Sequence, residues 1–218
     1  MIRRKSLDNS VNKNGPWSSK ELRLFRSFTT PMDIQLYLNR LPYNPQPTAY
    51  SPRMVMQKRT AHCFEGAMFA AAAFHFLGYP PLIVDMAARN DDDHVIAVFR
   101  EKNYWGAVAK SNFTTLRFRE PVYRSLRELV MSYFDFFYNT KGEKTLRSYS
   151  QPVDLSRYDK RQWMISLEDL DYIGDHLYAI NHIPIVPSFA SRHLHLVEED
   201  LMKAGLLGSV KKGLYKPR

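Results

Sequence analysis

Cysteine occurs once in the 218 residues, at Cys63, and its position has a chemical reading. It stands where an extended, proline-punctuated segment meets the first turn of an Ala-rich helical stretch. Unpaired N–H groups and the positive end of the helix dipole favour a thiolate there and lower the thiol pKa. A nucleophilic cysteine needs that activation plus a base that takes or shares its proton. His94 begins a strand directly after the Asp91-Asp92-Asp93 loop, a position from which its ring can reach a helix N-terminus packed on the same sheet. His62 is a second base candidate, expected to point elsewhere as Cys63's neighbour. Glu65 is expected to cap the helix start or to form a salt bridge there.

The other clusters read as structure. Three consecutive acids at 91–93 point in different directions, and no Gly or distal Glu makes them an EF-hand. His193-x-His195, with His182 nearby, lacks a Cys or acid partner for a metal. Tyr133, Phe134, Phe136, Phe137 and Tyr138 read as core, because no basic residues interleave with them as they would on a base-stacking surface. No cofactor or metal is implied.

The positioning elements follow from caps and periods. Ser18 followed by Glu21 is a capping box that opens a short helix, and Thr30-Pro31 opens a second. Pro42, Pro45, Pro47 and Pro52 then make an extended connection. Residues 63–77 form a helix that is apolar nearly all round, hence buried, stopped by Gly78 and Pro80-Pro81. Strands are expected at 82–84, 94–99 and 104–109, the last two joined by a turn at 100–103. A helix is expected from Pro121 to about Tyr138, another from Ser166 to about Asn181, and a short one near 197–204, with 139–165 mixed. The fold class is α+β, an antiparallel sheet packed on the buried Cys-bearing helix with additional helices.

Composition bounds the rest. Apolar residues make up 44% and charged residues 24%, so wholesale disorder is excluded. The longest strongly apolar stretch, 67–77, is too short to cross a bilayer, and the polar residues 1–17 show no secretory signal. A single cysteine excludes an intrachain disulfide and points to a reducing, cytoplasmic setting. The net charge of +9 resides at the ends: residues 1–28 carry +5, residues 203–218 another +5, and 29–202 carry −1. The expected organisation is a flexible basic lead over 1–16, one domain over 17–205 and a basic tail over 206–218.

Segment 61–112 resembles the transglutaminase-like superfamily of cysteine acyl-transferases and peptidases, whose core is related to papain. It shares a Cys-x-Glu-x-Ala helix start at Cys63, Glu65 and Ala67, and a Leu-Gly-Tyr-Pro exit at 77–80. A His-led strand at His94 and an aromatic-led return strand at Trp105 complete the likeness, which covers about a quarter of the chain. The resemblance implies that Cys63 attacks an amide carbonyl with His94 as base, passing the acyl group to water or an amine. It departs at the third residue. The family has an Asp at the end of the return strand, where this chain offers Asn112 first and Ser111 second. Ala61 also stands where family members commonly have Gly. Gln57 lies six residues before Cys63, the spacing at which papain-like enzymes place an oxyanion-hole glutamine.

The leading reading is thiol acyl transfer at a peptide or protein amide, by hydrolysis or by transfer to an amine. The alternative is a catalytically impaired member of that fold that binds peptide or protein in a groove. A third is weak association with nucleic acid through the basic ends. No membrane partner is implied, and the sequence does not fix an oligomeric state.

Overall fold

The computed structural model describes residues 17–217; the basic lead expected over 1–16 lies outside the described residues. Residues Cys63–Leu77 form a helix, α4, at the limits its composition predicts, with every residue from Phe64 to Phe74 buried. Gly78 ends it at φ 86°, the left-handed conformation that glycine adopts without a Cβ penalty, and Tyr79 N–H donates back to the Phe74 carbonyl. Three shorter helices precede it, α1 (Ser19–Ser27), α2 (Pro31–Arg40) and α3 (Pro52–Lys58). The capping boxes of Ser18 with Glu21 and of Thr30 with Asp33 are both formed.

The strands are β1 (Leu82–Ala88), β2 (His94–Glu101), β3 (Tyr104–Val108), β4 (Arg119–Tyr123), β5 (Leu146–Ser150), β6 (Val153–Asp154) and β7 (His182–Pro184). They pair antiparallel throughout in the order β4-β3-β2-β1-β5-β7, with β6 also on β1. The sheet is covered on both faces. Ile83, Val95, Ala97 and Phe99 pack with α4 and its helical neighbours. Val84, Ile96 and Val98 pack on the other side with Leu129, Val130 and Tyr133 of α5 (Leu126–Phe134). Two-sided burial is why 94–99 reads as a continuous apolar run instead of an alternation. Two further helices, α6 (Asp171–Ala179) and α7 (Glu199–Gly205), complete the element order.

Several elements differ from expectation for local reasons. β1 runs to Ala88, four residues past the predicted end. The β2–β3 turn is tighter than 100–103, because Lys102 takes φ 54° and Glu101 pairs with Tyr104. Ala97 therefore pairs with Val108, and Ser111 and Asn112 lie beyond the end of that ladder. The helix expected over 121–138 is an edge strand followed by a shorter helix. Pro121 sits in β4, which pairs only with β3, an edge position that tolerates a missing N–H. The helix starts after Ser125, whose Oγ accepts from Glu128 N–H at 3.1 Å. Ser166 does not open α6; its hydroxyl is used in a local turn with Glu168.

Gly66, one turn into α4, fixes how closely the helix approaches the end of β3. A Cβ there would lie 2.3 Å from Lys110 Cβ. Lys110 cannot retreat, because its buried ammonium donates to the Leu38 carbonyl at 2.9 Å and to that of Leu41, at the end of α2. Alanine's better helix propensity gains at most ~1 kcal/mol, whereas overpacking costs ~1–3 kcal/mol. Gly66→Ala is therefore expected to lower the urea midpoint of unfolding; an unchanged or raised midpoint would show that the contact relaxes.

Candidate active site

Cys63 occupies the first position of α4, half-buried, at the floor of a cleft of about 510 Å³ that His62, His94, Tyr43 and Asp92 also line. Burial alone would raise its thiol pKa. Hydrogen bonds from the His62 and His94 side chains, with the charge of both rings, outweigh it and bring the thiol down to about 5. The two imidazoles thus favour the thiolate, and the sulfur also lies 3.8 Å from the Asp93 carbonyl oxygen.

Each ring is anchored on its far side. His94, 4% exposed, donates from Nε2 to the Leu116 carbonyl at 2.9 Å. A carbonyl can only accept, so this bond assigns a proton to Nε2 and leaves Nδ1 as the nitrogen available to the sulfur. Leu116 belongs to a single 3-10 turn, Thr114–Leu116. Arg119 braces that turn by donating to the Thr115 carbonyl at 3.2 Å, its guanidinium lying 3.8 Å over the Tyr133 ring. The edge of Phe137 closes on His94 at 6.2 Å between centroids.

His62 is placed in the same way. Its Nε2 donates to the Thr48 carbonyl at 2.6 Å and lies 3.6 Å from Glu65 Oε1. Burial lowers its pKa, but the Cys63 thiolate, Glu65 and the Thr48 carbonyl more than offset this and raise it to about 9. Glu65 is fully buried and saturated with donors: Asn44 Nδ2 at 3.1 and 3.0 Å, Thr48 Oγ1 at 2.6 Å, Tyr50 N–H at 3.2 Å and His62 N–H at 3.0 Å. It thus caps α4, as the sequence suggests, and also supplies negative charge beside His62. Charge-assisted bonds of this kind are the strong ones. Tyr43 adds a neutral hydroxyl, its pKa raised by burial and by the negative Cys63, Asp92 and Glu65.

The structure brings Cys63 and His94 together and does not join the other candidates to them as the resemblance implies. The far nitrogen of His94 meets the Leu116 carbonyl, not Asn112. The Asn112 carboxamide binds backbone groups of Val210 and Gly213 instead, and Ser111 Oγ accepts from Phe113 N–H at 3.0 Å. Gln57 is exposed on α3 and does not line the cleft. His62, expected to point away, is the second partner of the sulfur. The signal for it was a histidine at the N-cap of α4 with Glu65 three residues on.

The remaining titratable clusters have their own partners. Asp91 accepts from Thr145 Oγ1 at 2.7 Å and Asp93 from Ala88 N–H at 2.7 Å. His182 pairs with buried Asp85 at 2.9 Å, while burial and the nearby Asp93 push the Asp85 carboxyl up to about 6. Among the described residues no group of three or more His, Cys, Asp or Glu is arranged to hold a metal ion, and no helix is long and apolar enough to cross a membrane. A scan against protein-family models finds no match for the chain, and a search of curated proteins finds none.

The pH dependence of alkylation tests this electrostatic arrangement. Iodoacetamide is expected to react with Cys63 with a midpoint near pH 5, reactivity falling as pH drops through that value and the thiolate takes up a proton. In His62→Ala the midpoint is expected to rise by about one pH unit or more, since an opposite charge at contact range shifts a pKa by ~1–3 units. A midpoint that stays put in His62→Ala would remove His62 from the site.

Proposed function

We propose that this chain is a cysteine acyl-transfer protein that acts on amide carbonyls, of the transglutaminase-like kind that segment 61–112 resembles. The observation that carries the reading is the Cys63 sulfur at a helix N-terminus, in a cleft that His62 and His94 also line. In the proposed reaction the thiolate adds to the carbonyl carbon, and the C=O electron pair moves onto oxygen. Backbone N–H groups of the first turn of α4 face the developing oxyanion, and such donors are worth ~10²–10³ in rate. When the oxyanion collapses, the C–N bond breaks and the departing nitrogen takes a proton from the His94 imidazolium. Water or an amine then attacks the thioester, His94 takes its proton, and the Cys63 thiolate leaves.

A second reading is favoured by the Leu116 carbonyl. A neutral acceptor stabilises an imidazolium less than a carboxylate does, which slows proton transfer and suits a binding protein of the same fold. An activated ester such as p-nitrophenyl acetate separates the two. Enzyme chemistry is expected to give repeated nitrophenolate release, with acetate found transiently on Cys63 by mass spectrometry. Cys63→Ala is expected to abolish release, and His94→Ala to slow it by about 10²-fold or more. One acetyl group retained without turnover would support the binding reading, and an unreactive Cys63 would defeat the acyl-transfer proposal.

A further inference from the structure

We propose that the cleft beside Cys63 receives an extended polypeptide segment, and that residues 209–215 of this chain are its resident occupant, a strap that leaves before a substrate segment enters. This rests on the acyl-transfer reading and names the substrate class of that site. The strap shares the cleft with the sulfur: Lys212, Gly213, Leu214 and Tyr215 line the same cavity as Cys63 and His94.

Its seating is by backbone. Val210 N–H donates to Asn112 Oδ1 at 2.8 Å, and Asn112 Nδ2 donates to the Val210 and Gly213 carbonyls, both at 3.0 Å. Asn112 is 6% exposed, so one fixed carboxamide reads both a donor and acceptors of a passing main chain. Such recognition reads main chain, and so serves a polypeptide backbone that carries glycine at the Gly213 place. Gly213 lies against Tyr43 so closely that a Cβ would sit 2.6 and 2.8 Å from two ring carbons.

The strap is also built to be displaced. None of residues 209–217 is buried, whereas the preceding α7 is tied down by Tyr138 Oη donating to the Leu201 carbonyl at 2.6 Å and Thr114 Oγ1 to that of Ala204 at 2.8 Å. Segments with little buried apolar area open at low cost.

The test uses the accessibility of Cys63 to a bulky fluorescent maleimide at pH 7. Gly213→Val, which cannot seat against Tyr43, and a deletion of 209–218 are each expected to label about tenfold faster, because the rate follows the fraction of open molecules. A peptide of sequence SVKKGLYKPR, residues 209–218, added in trans is expected to slow labelling of the deleted chain. The same peptide with Val at the glycine is not. Unchanged labelling in both variants, or no protection by the peptide, would overturn the strap. An alkylation midpoint near pH 5 retained in that case would leave the acyl-transfer reading standing, whereas an ordinary thiol midpoint with faster labelling would defeat that reading and keep the strap.

Discussion

The constraint on which the site depends is the stabilisation of one negative sulfur at the start of a buried helix. A thiolate removed from water is costly unless positive charge and donors face it. Here the donors are two imidazoles, the helix N-terminus supplies further positive potential, and Glu65 secures His62. Glu65 is itself a buried carboxylate, tolerable because five hydrogen bonds from four residues reach it. The Pro-rich connection between α2 and α3 supplies three of those residues, Asn44, Thr48 and Tyr50. Its irregular course is therefore part of the electrostatics: prolines keep the segment out of helix and sheet, and its side chains and N–H groups are left to converge on Glu65.

The sheet does the complementary task for His94. Burial of β2 on both faces fixes its register, since a slip of one residue would exchange the sets facing α4 and α5. The tight turn at Lys102 then determines where β3 ends and the 3-10 turn carrying the Leu116 carbonyl begins. Gly66 and Lys110 hold α4 against the same region. The Cys63-to-His94 approach is thus set by packing over some forty residues of sequence, while the His62 approach is set within one helical turn.

That difference explains what could be read in the sequence. The limits of α4, its burial and the meeting of Cys63 with His94 were legible, because composition, a C-terminal glycine and strand order are local signals. The orienting group of His94 was not, since a backbone carbonyl at Leu116 carries no residue-type signature. Asn112 was a reasonable candidate by type, yet the β2–β3 ladder stops at Val108 and the Asn112 carboxamide is bound to a segment 98 residues away. Pro121 misled for a related reason: it is as good at the head of a helix as in an edge strand, and only the pairing partner decides.

The two histidines divide the work by chemistry, not by symmetry. His62 has Glu65 and the thiolate around it and stays protonated well above neutrality, so it holds charge and cannot serve as a base at pH 7. His94 has only a neutral carbonyl behind it and is the ring to which the proposed reaction gives the proton transfers. In a triad with a carboxylate, one imidazole both pairs with the thiolate and carries the proton, and the acid stabilises the charged form. Here the stabilising carboxylate stands behind the other ring. In the proposed reaction a fixed positive neighbour at His62 adds to the stabilisation of the thiolate, while the His94 imidazolium supplies the proton that the departing nitrogen takes.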